Sequence, residues 1–533
     1  MNATEWFLLL FAALCLIAVL AERARLAMPI AFVLGGIALG LIPGFPDINI
    51  PPQYILFIFL PPLLMEAAYF TSLREFRFSL QPILQLAVGL VAATILAVGY
   101  IAEKMIPGMT FALGCVLGAI ISPPDAIAAT STIRYLHVPK RIVSILEGES
   151  LVNDATGLVL YGFAVLAVST GHFSVSAAFG NFLWMVAAGA AIGFGCGYTL
   201  IKLFPRIRQP SVEILSTFLM PYLGYTLAET VHASGVLAVV IGGLYTAWHA
   251  PKVFHSTFRL TANAIWKMTV FIMNALVFLL IGTKVPVLLN NFSGDKVLQL
   301  LEYAAVITLT ALVVRMFWVF VVGYGTRFLM PTLRKKDPYP AWQNVFMVGW
   351  VGMRGVVSLA TALALPLSVA DGGAFPMRDE ILFITLAVII FTLVGQGLTL
   401  PALLKRLPLV FNSRVALEDW YARQHAAKQA LRRLQEFSDE KNIHPPALVR
   451  IKSFYEDRLA SLGDGPNTPI MSNVAPLPNT HPIIAQEHLL WQEALRTEQE
   501  SILALRSAFQ IGDDVMHELL REIDLLSSRF QST

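Results

Sequence analysis

Four ionisable side chains sit inside runs that otherwise read as lipid-spanning, and they limit what this chain can become. Asp125 ends Ser122-Pro123-Pro124-Asp125. Glu149 and Asp154 flank Ser150-Leu151-Val152-Asn153, and Arg354 lies within Gly349-Trp350-Val351-Gly352-Met353-Arg354-Gly355. A charge at the bilayer centre costs roughly 2.5–3.5 kcal/mol even on the mildest insertion scale, so the four together cost on the order of 10 kcal/mol if left unpaired. Such groups persist where they pair with one another or line a watery ion path. The pattern is that of a transporter interior.

Composition agrees. The 533 residues are 56% hydrophobic and 14% charged, with a mean hydropathy of +0.66, whereas a soluble domain has about a quarter of its residues charged. Apolar runs recur from Trp6 to Leu404, each close to the ~20 residues that cross a hydrocarbon core. The expected fold is an all-α polytopic membrane protein with about thirteen transmembrane helices, at 5–21, 28–43, 53–70, 80–102, 109–131, 142–168, 179–201, 211–229, 234–249, 262–283, 297–323, 342–367 and 380–404. Cys15, Cys115 and Cys196 lie scattered in apolar runs and suggest neither a disulfide framework nor a metal site. Glu5 stands where a cleaved leader would be basic, so the first span is expected to be retained.

The connections alternate in charge. Arg23 and Arg25; Arg74 and Arg77; Arg134, Lys140 and Arg141; Lys202, Arg206 and Arg208; Lys252 and Arg259; Arg327, Arg334, Lys335 and Lys336; and Lys405 and Arg406 fall on one side. Lys104, Lys284, Lys296 and Arg378 fall on the other. The positive-inside rule makes the first set cytoplasmic. A plasma (cell inner) membrane protein with its N-terminus outside and its C-terminus inside follows. Residues 1–406 form the transmembrane domain and 407–533 a charged cytosolic tail. Amphipathic helices are expected at 414–440 and 483–528, with a linker at 463–482. Regulation, dimer contact and a plain solvated cap are equal readings of this tail.

Two spans break their own helices. Pro123-Pro124 interrupts the fifth, and Gly349, Gly352 and Gly355 loosen the twelfth. These spans run in opposite directions, seven apart, as inverted repeats of spans 1–6 and 8–13 would give; interrupted segments in corresponding positions point to a binding site. At about 1.5 Å per residue, Asp154 and Arg354 each lie roughly 18 Å from the cytoplasmic face. On a helical wheel Ser150 and Asp154 share a face, while Glu149 points about 140° away. Asp154, Ser150 and Asp125 are therefore assigned to the ion and Glu149 to a salt bridge with Arg354. Glu66, in Leu60-Pro61-Pro62-Leu63-Leu64-Met65-Glu66, is a second candidate partner for that guanidinium. Arg315, deep in the eleventh span, has no acid partner legible in the sequence.

At these residues the chain resembles the cation:proton antiporter-1 family, the sodium/proton exchangers, over most of residues 1–405. The string Glu149…Asn153-Asp154-Ala155-Thr156-Gly157-Leu158-Val159-Leu160-Tyr161 carries the resemblance. Phe59-Leu60-Pro61-Pro62-Leu63-Leu64-Met65-Glu66 and Met353-Arg354-Gly355 follow in the expected order. The resemblance implies a homodimer with dimerisation and six-helix core domains that rock against each other. It implies that Asp154 alternates between a cation and a proton, with Asn153 and Ser150 shaping its pocket and Glu149 and Arg354 holding the crossing helices. An Asn-Asp pair goes with electroneutral exchange in this family. Many members have Thr-Asp-Pro at the first break; here it is Pro124-Asp125-Ala126, and Thr130 follows about a turn and a half later.

The expected function is therefore exchange of Na⁺, or another monovalent cation, for H⁺ by alternating access. The transported ions would be bound by Asp154 and Asp125, with no further cofactor. The alternatives are K⁺/H⁺ antiport on the same fold and ion-coupled symport of a small organic solute. A channel is a further rival, since it would use the same buried charges in a continuous pore. An enzyme is the weakest reading, because the spans hold no nucleophile–His pair, metal-ligand spacing or phosphate loop. The expected partners are the bilayer, monovalent cations, protons and a second copy of the chain, with no nucleic acid.

Overall fold

In the computed structural model the described residues are 3–24, 26–43, 45, 52–125, 138–170, 175–207, 209–329, 339–369, 373–407, 409, 414–441, 445–463 and 481–531. They fold as helices, with one isolated antiparallel bridge between Ser368 and Ala374. The transmembrane part comprises α1 (Ala3–Ala24), α2 (Met28–Gly40), α3 (Pro52–Phe70), short α4 (Leu73–Phe78), α5 (Leu80–Met105), α6 (Phe111–Ile121), α7 (Lys140–Thr170), α8 (Val175–Leu203), α9 (Pro210–Thr230), α10 (Gly235–Val253), α11 (Ser256–Asn290), α12 (Gly294–Leu329), α13 (Trp342–Trp350), α14 (Val356–Leu363) and α15 (Arg378–Arg406). Seven of these helices, among the described residues, are long and apolar enough to cross a membrane, and α2, most of α3, and α6 are shorter apolar helices. Each of the thirteen expected segments contains helix among its described residues, though 109–131 is helical only over Phe111–Ile121 and 342–367 is broken at 351–355.

Small residues let these helices approach closely. On α2 and α11, Gly36 and Gly282 face each other, and a Cβ on either would collide with the other backbone. Gly193 on α8 meets the Ala238 carbonyl of α10 in the same way. Without a hydrophobic drive between helices in lipid, such contact supplies the packing.

The tail differs from its expected form. Two long helices were expected; there are four, α16 (Arg414–Lys441), α17 (Pro445–Leu462), α18 (His481–Ser507) and α19 (Asp513–Gln531). Ala422, Ala426 and Ala430 repeat every fourth residue on α16 and form a small-residue face in a buried cluster with Tyr455 and Leu490. The expected second helix is interrupted at Phe509, which adopts left-handed backbone at φ 56°. A bulky residue rarely does so. Here its ring lies over Trp248, with centroids 6.1 Å apart, and beneath the Arg77 guanidinium.

The tail is docked on the transmembrane helices. Arg74 makes a two-pronged pair with Glu418 at 3.1 and 3.0 Å. Arg259 does the same with Asp524, through Nε at 2.8 Å. Arg506 pairs with Asp513 at 2.6 Å, donates to the Trp248 carbonyl at 2.8 Å and stacks on that indole. His517 is buried against Tyr69 and Phe70, and burial outweighs Asp513 and Asp514 in holding its imidazole below the usual range. The transmembrane anchors Ser72, Arg74, Lys140, Trp248 and Arg259 share one face of the molecule.

Candidate ion-binding site

The two chain breaks meet. Helix α6 stops at Ile121, because Pro123 and Pro124 lack backbone donors. Helix α13 stops at Trp350, and residues 351–355 are non-helical before α14 begins. The Asp125 amide donates to the Met353 carbonyl at 2.7 Å, joining one break to the other. The Asp125 carboxylate accepts from the Val356 amide at 3.1 Å, at the positive end of the α14 dipole. Conversely, Arg354 Nε donates to the Ile121 carbonyl at 2.8 Å, at the negative end of α6. A second guanidinium nitrogen donates to the Gly352 carbonyl. Each interrupted helix is thus capped by a charge carried on the other. Gly355 permits the approach, since a Cβ there would run into the Asp125 carboxylate.

Helix α7 lies against this crossing. Gly157 makes room for Pro123, whose Cγ would stand 2.5 Å from an added Cβ. Asn153 is fully buried, and its Nδ2 donates to the Pro124 carbonyl at 3.4 Å. This satisfies an acceptor that the proline break frees. Asn153 Oδ1 has no hydrogen-bond partner among the described residues. One residue on, Asp154 lines a cavity of about 630 Å³ together with Ser150, Asp125, Glu147 and Glu66. No described residue donates a hydrogen bond to the Asp154 carboxylate. It is a mid-helix acid presented to a cavity. Thr130 lies outside the described residues.

The expected Glu149–Arg354 salt bridge is not formed. Glu149 pairs instead with Arg315 on α12, two-pronged at 2.6 and 3.0 Å, with both side chains 1% exposed. Arg315 also donates to the Val348 and Val351 carbonyls at 3.1 Å each, closing the end of α13. Gly352 leaves space for it, because an added Cβ would lie 2.6 Å from Arg315 Cδ. Nor does Glu66 pair with Arg354; it faces the cavity. Arg354 has no ion pair among the described residues, and its guanidinium is held by helix-end carbonyls. The carbonyl at the end of α6 and the Gly352 carbonyl in the break supply the negative potential that an acid was expected to provide. Depth arithmetic extended to the eleventh span would have found the true pair. Arg315 is eight residues from the tail-side end of that span and Glu149 seven from the start of its own, so at about 1.5 Å per residue their depths agree to within a few Å.

A helical membrane bundle in which two mutually capped, interrupted helices frame a cavity-facing carboxylate defines an ion transporter. Comparison with known proteins narrows the class. A family model described as sodium/hydrogen exchanger, transmembrane, matches residues 9–406. The Na⁺/H⁺ exchanger Rv2287 of Mycobacterium tuberculosis is 31% identical over 521 residues, covering 97% of this chain and 94% of that protein. A sodium, potassium, lithium and rubidium/H⁺ antiporter of Bacillus subtilis is 29% identical, covering 92% of this chain and 73% of that one. The fold matches that of the sodium proton antiporter MjNhaP1 from Methanocaldococcus jannaschii at a TM-score of 0.56 and 19% identity, over 74% of this chain and 100% of that structure. The chain belongs to the sodium/hydrogen exchanger family. It is a multi-pass membrane protein that exchanges monovalent cations for protons, and it is not an enzyme.

Proposed function

We propose that Asp154 is the single carboxylate that a monovalent cation and a proton occupy in turn, and that the physiological cation is Na⁺. The observation that carries this reading is the Asp154 carboxylate facing the cavity with no protein donor among the described residues. A carboxylate facing a cavity without protein hydrogen bonds is available to a ligand. Ser150 and Asp125 line the same cavity and provide further oxygen atoms. Asn153 holds the Pro124 carbonyl in place and adds no second titrating group, which supports one-for-one, electroneutral exchange. The pairing of Glu149 with Arg315 keeps that acid out of the exchange.

In this reading the chain crosses the inner membrane thirteen times by alternating access between inverted repeats, as a homodimer. The tail-bearing face is cytoplasmic in this reading, supported by Arg74, Lys140 and Arg259, basic residues of the connections that make ion pairs with the tail. Acid-quench fluorescence in everted vesicles, with Na⁺, Li⁺ and K⁺ added in turn, tests the cation and the stoichiometry. Na⁺ is expected to restore fluorescence at the lowest concentration, and clamping the membrane potential at zero is expected to leave that response unchanged. A K⁺ response at lower concentration, or a rate that follows membrane potential, would overturn the corresponding part of the proposal.

A further inference from the structure

A second cavity adjoins the ion cavity on its tail side. It has a volume of about 370 Å³ and is walled by α3, α11 and the tail helix α19, and Glu66, Phe70 and Lys267 line both chambers. These three stand at the boundary between the chamber that holds Asp154 and the tail-side chamber lined by His517 and Arg521. Lys267, Val270, Phe271, Asn274 and Phe278 form one stripe of α11 along the inner chamber, with Lys267 at its tail-side end. At 1.5 Å per residue the stripe is about 16 Å long. Among the described residues, Lys267 is the one basic side chain on the inner chamber, against Glu66, Asp125, Glu147 and Asp154. It is exposed and makes no ion pair among the described residues. The buried structural ion pair of this region is made by Arg315 with Glu149, not by Lys267.

The geometry points to Lys267 as a specificity-determining residue, an electrostatic filter at the tail-side boundary of the ion cavity that turns away divalent ions more strongly than monovalent ones. Four carboxylates alone would concentrate Mg²⁺ or Ca²⁺ above Na⁺, because Coulomb energy scales with ionic charge. A tethered ammonium at the cavity boundary opposes that bias while leaving the carboxylates in place. Its field acts twice as strongly on a divalent ion. If removing it strengthens monovalent binding by a factor x, it strengthens divalent competition by about x squared. This inference rests on the assignment of Asp154 as the ion carboxylate.

The test uses the full-length protein in everted vesicles, which present the tail side to the bath if that side is cytoplasmic, with Lys267→Gln, Lys267→Met and the charge-conserving Lys267→Arg. At about 10 mM ionic strength, where the Debye length is about 30 Å, either neutral variant is expected to lower the half-saturating Na⁺ concentration about threefold. Inhibition by Mg²⁺ should then strengthen about ninefold. Both shifts should shrink toward unity near 1 M salt, where the screening length is about 3 Å. Lys267→Arg should match the parent, and offering the cation to the opposite face should show no change. Unaltered Na⁺ and Mg²⁺ constants in both neutral variants would overturn the filter, as would equal factors for the two ions or a shift that persists in high salt. Asp154→Asn separates the two claims. If that variant still exchanges ions, the site assignment fails; if it is inactive while the Lys267 variants behave as the parent, the filter alone fails.

Discussion

Asp154→Asn is expected to abolish cation-driven proton movement in proteoliposomes and to leave the protein folded in detergent. The substitution keeps the size and planarity of the side chain and removes the charge that the proposed mechanism requires a cation or proton to neutralise. Asp154 accepts no hydrogen bond from a described residue, so no structural contact is lost, and the melting temperature should change little. Persistent exchange against a pH gradient would remove Asp154 from the mechanism. A variant that is inactive because it aggregates would show instead that the carboxylate is structural.

Glu149→Gln and Arg315→Met are expected to behave in the opposite way, losing stability first and transport as a consequence. Both side chains are 1% exposed, and removing one partner of a buried pair leaves an uncompensated charge at a cost of about 3–5 kcal/mol. For a chain of this size, a melting temperature lower by roughly 5 °C or more is the expected reading. The double variant should recover part of the loss, since it buries no lone charge. Recovery should be incomplete, because the Val348 and Val351 carbonyls would still lack their donor. Strictly additive losses in the double variant would show that the two groups are not coupled. Arg315→Lys should rescue poorly, since an ammonium cannot reproduce the planar fork that serves a carboxylate and two carbonyls together.

Much of the architecture was legible because lipid imposes it. Apolar length placed thirteen helical segments, and Pro123-Pro124 and the glycines around Met353 marked the two interruptions. What the sequence hid was partner choice between elements far apart in the chain. Glu149 and Arg315 are 166 positions apart, and their meeting depends on the rotation of α7 and α12 as well as on depth. The solution found by Arg354 was equally hidden. Backbone carbonyls at a helix end carry no residue letter, so an acid was sought where a dipole sufficed. In the tail, the helix Pro445–Leu462 was not expected at all; it begins with two prolines, which are well tolerated in a first helical turn. Lys267 went unremarked because in one dimension it is a lone lysine near the start of the span 262–283, and only the folded chain places it on the acid-lined cavity.

Competition for one carboxylate has a direct thermodynamic signature, since a bound cation must displace whatever proton the site holds. Calorimetric titration of the purified protein with Na⁺, in buffers of different ionisation enthalpy, counts the protons released per cation bound. With the site protonated at the start, about one proton should leave for each cation in the parent and none in Asp154→Asn, where cation binding itself should vanish. Cation binding without proton release in the parent, or one proton still released by Asp154→Asn, would contradict the shared-carboxylate mechanism.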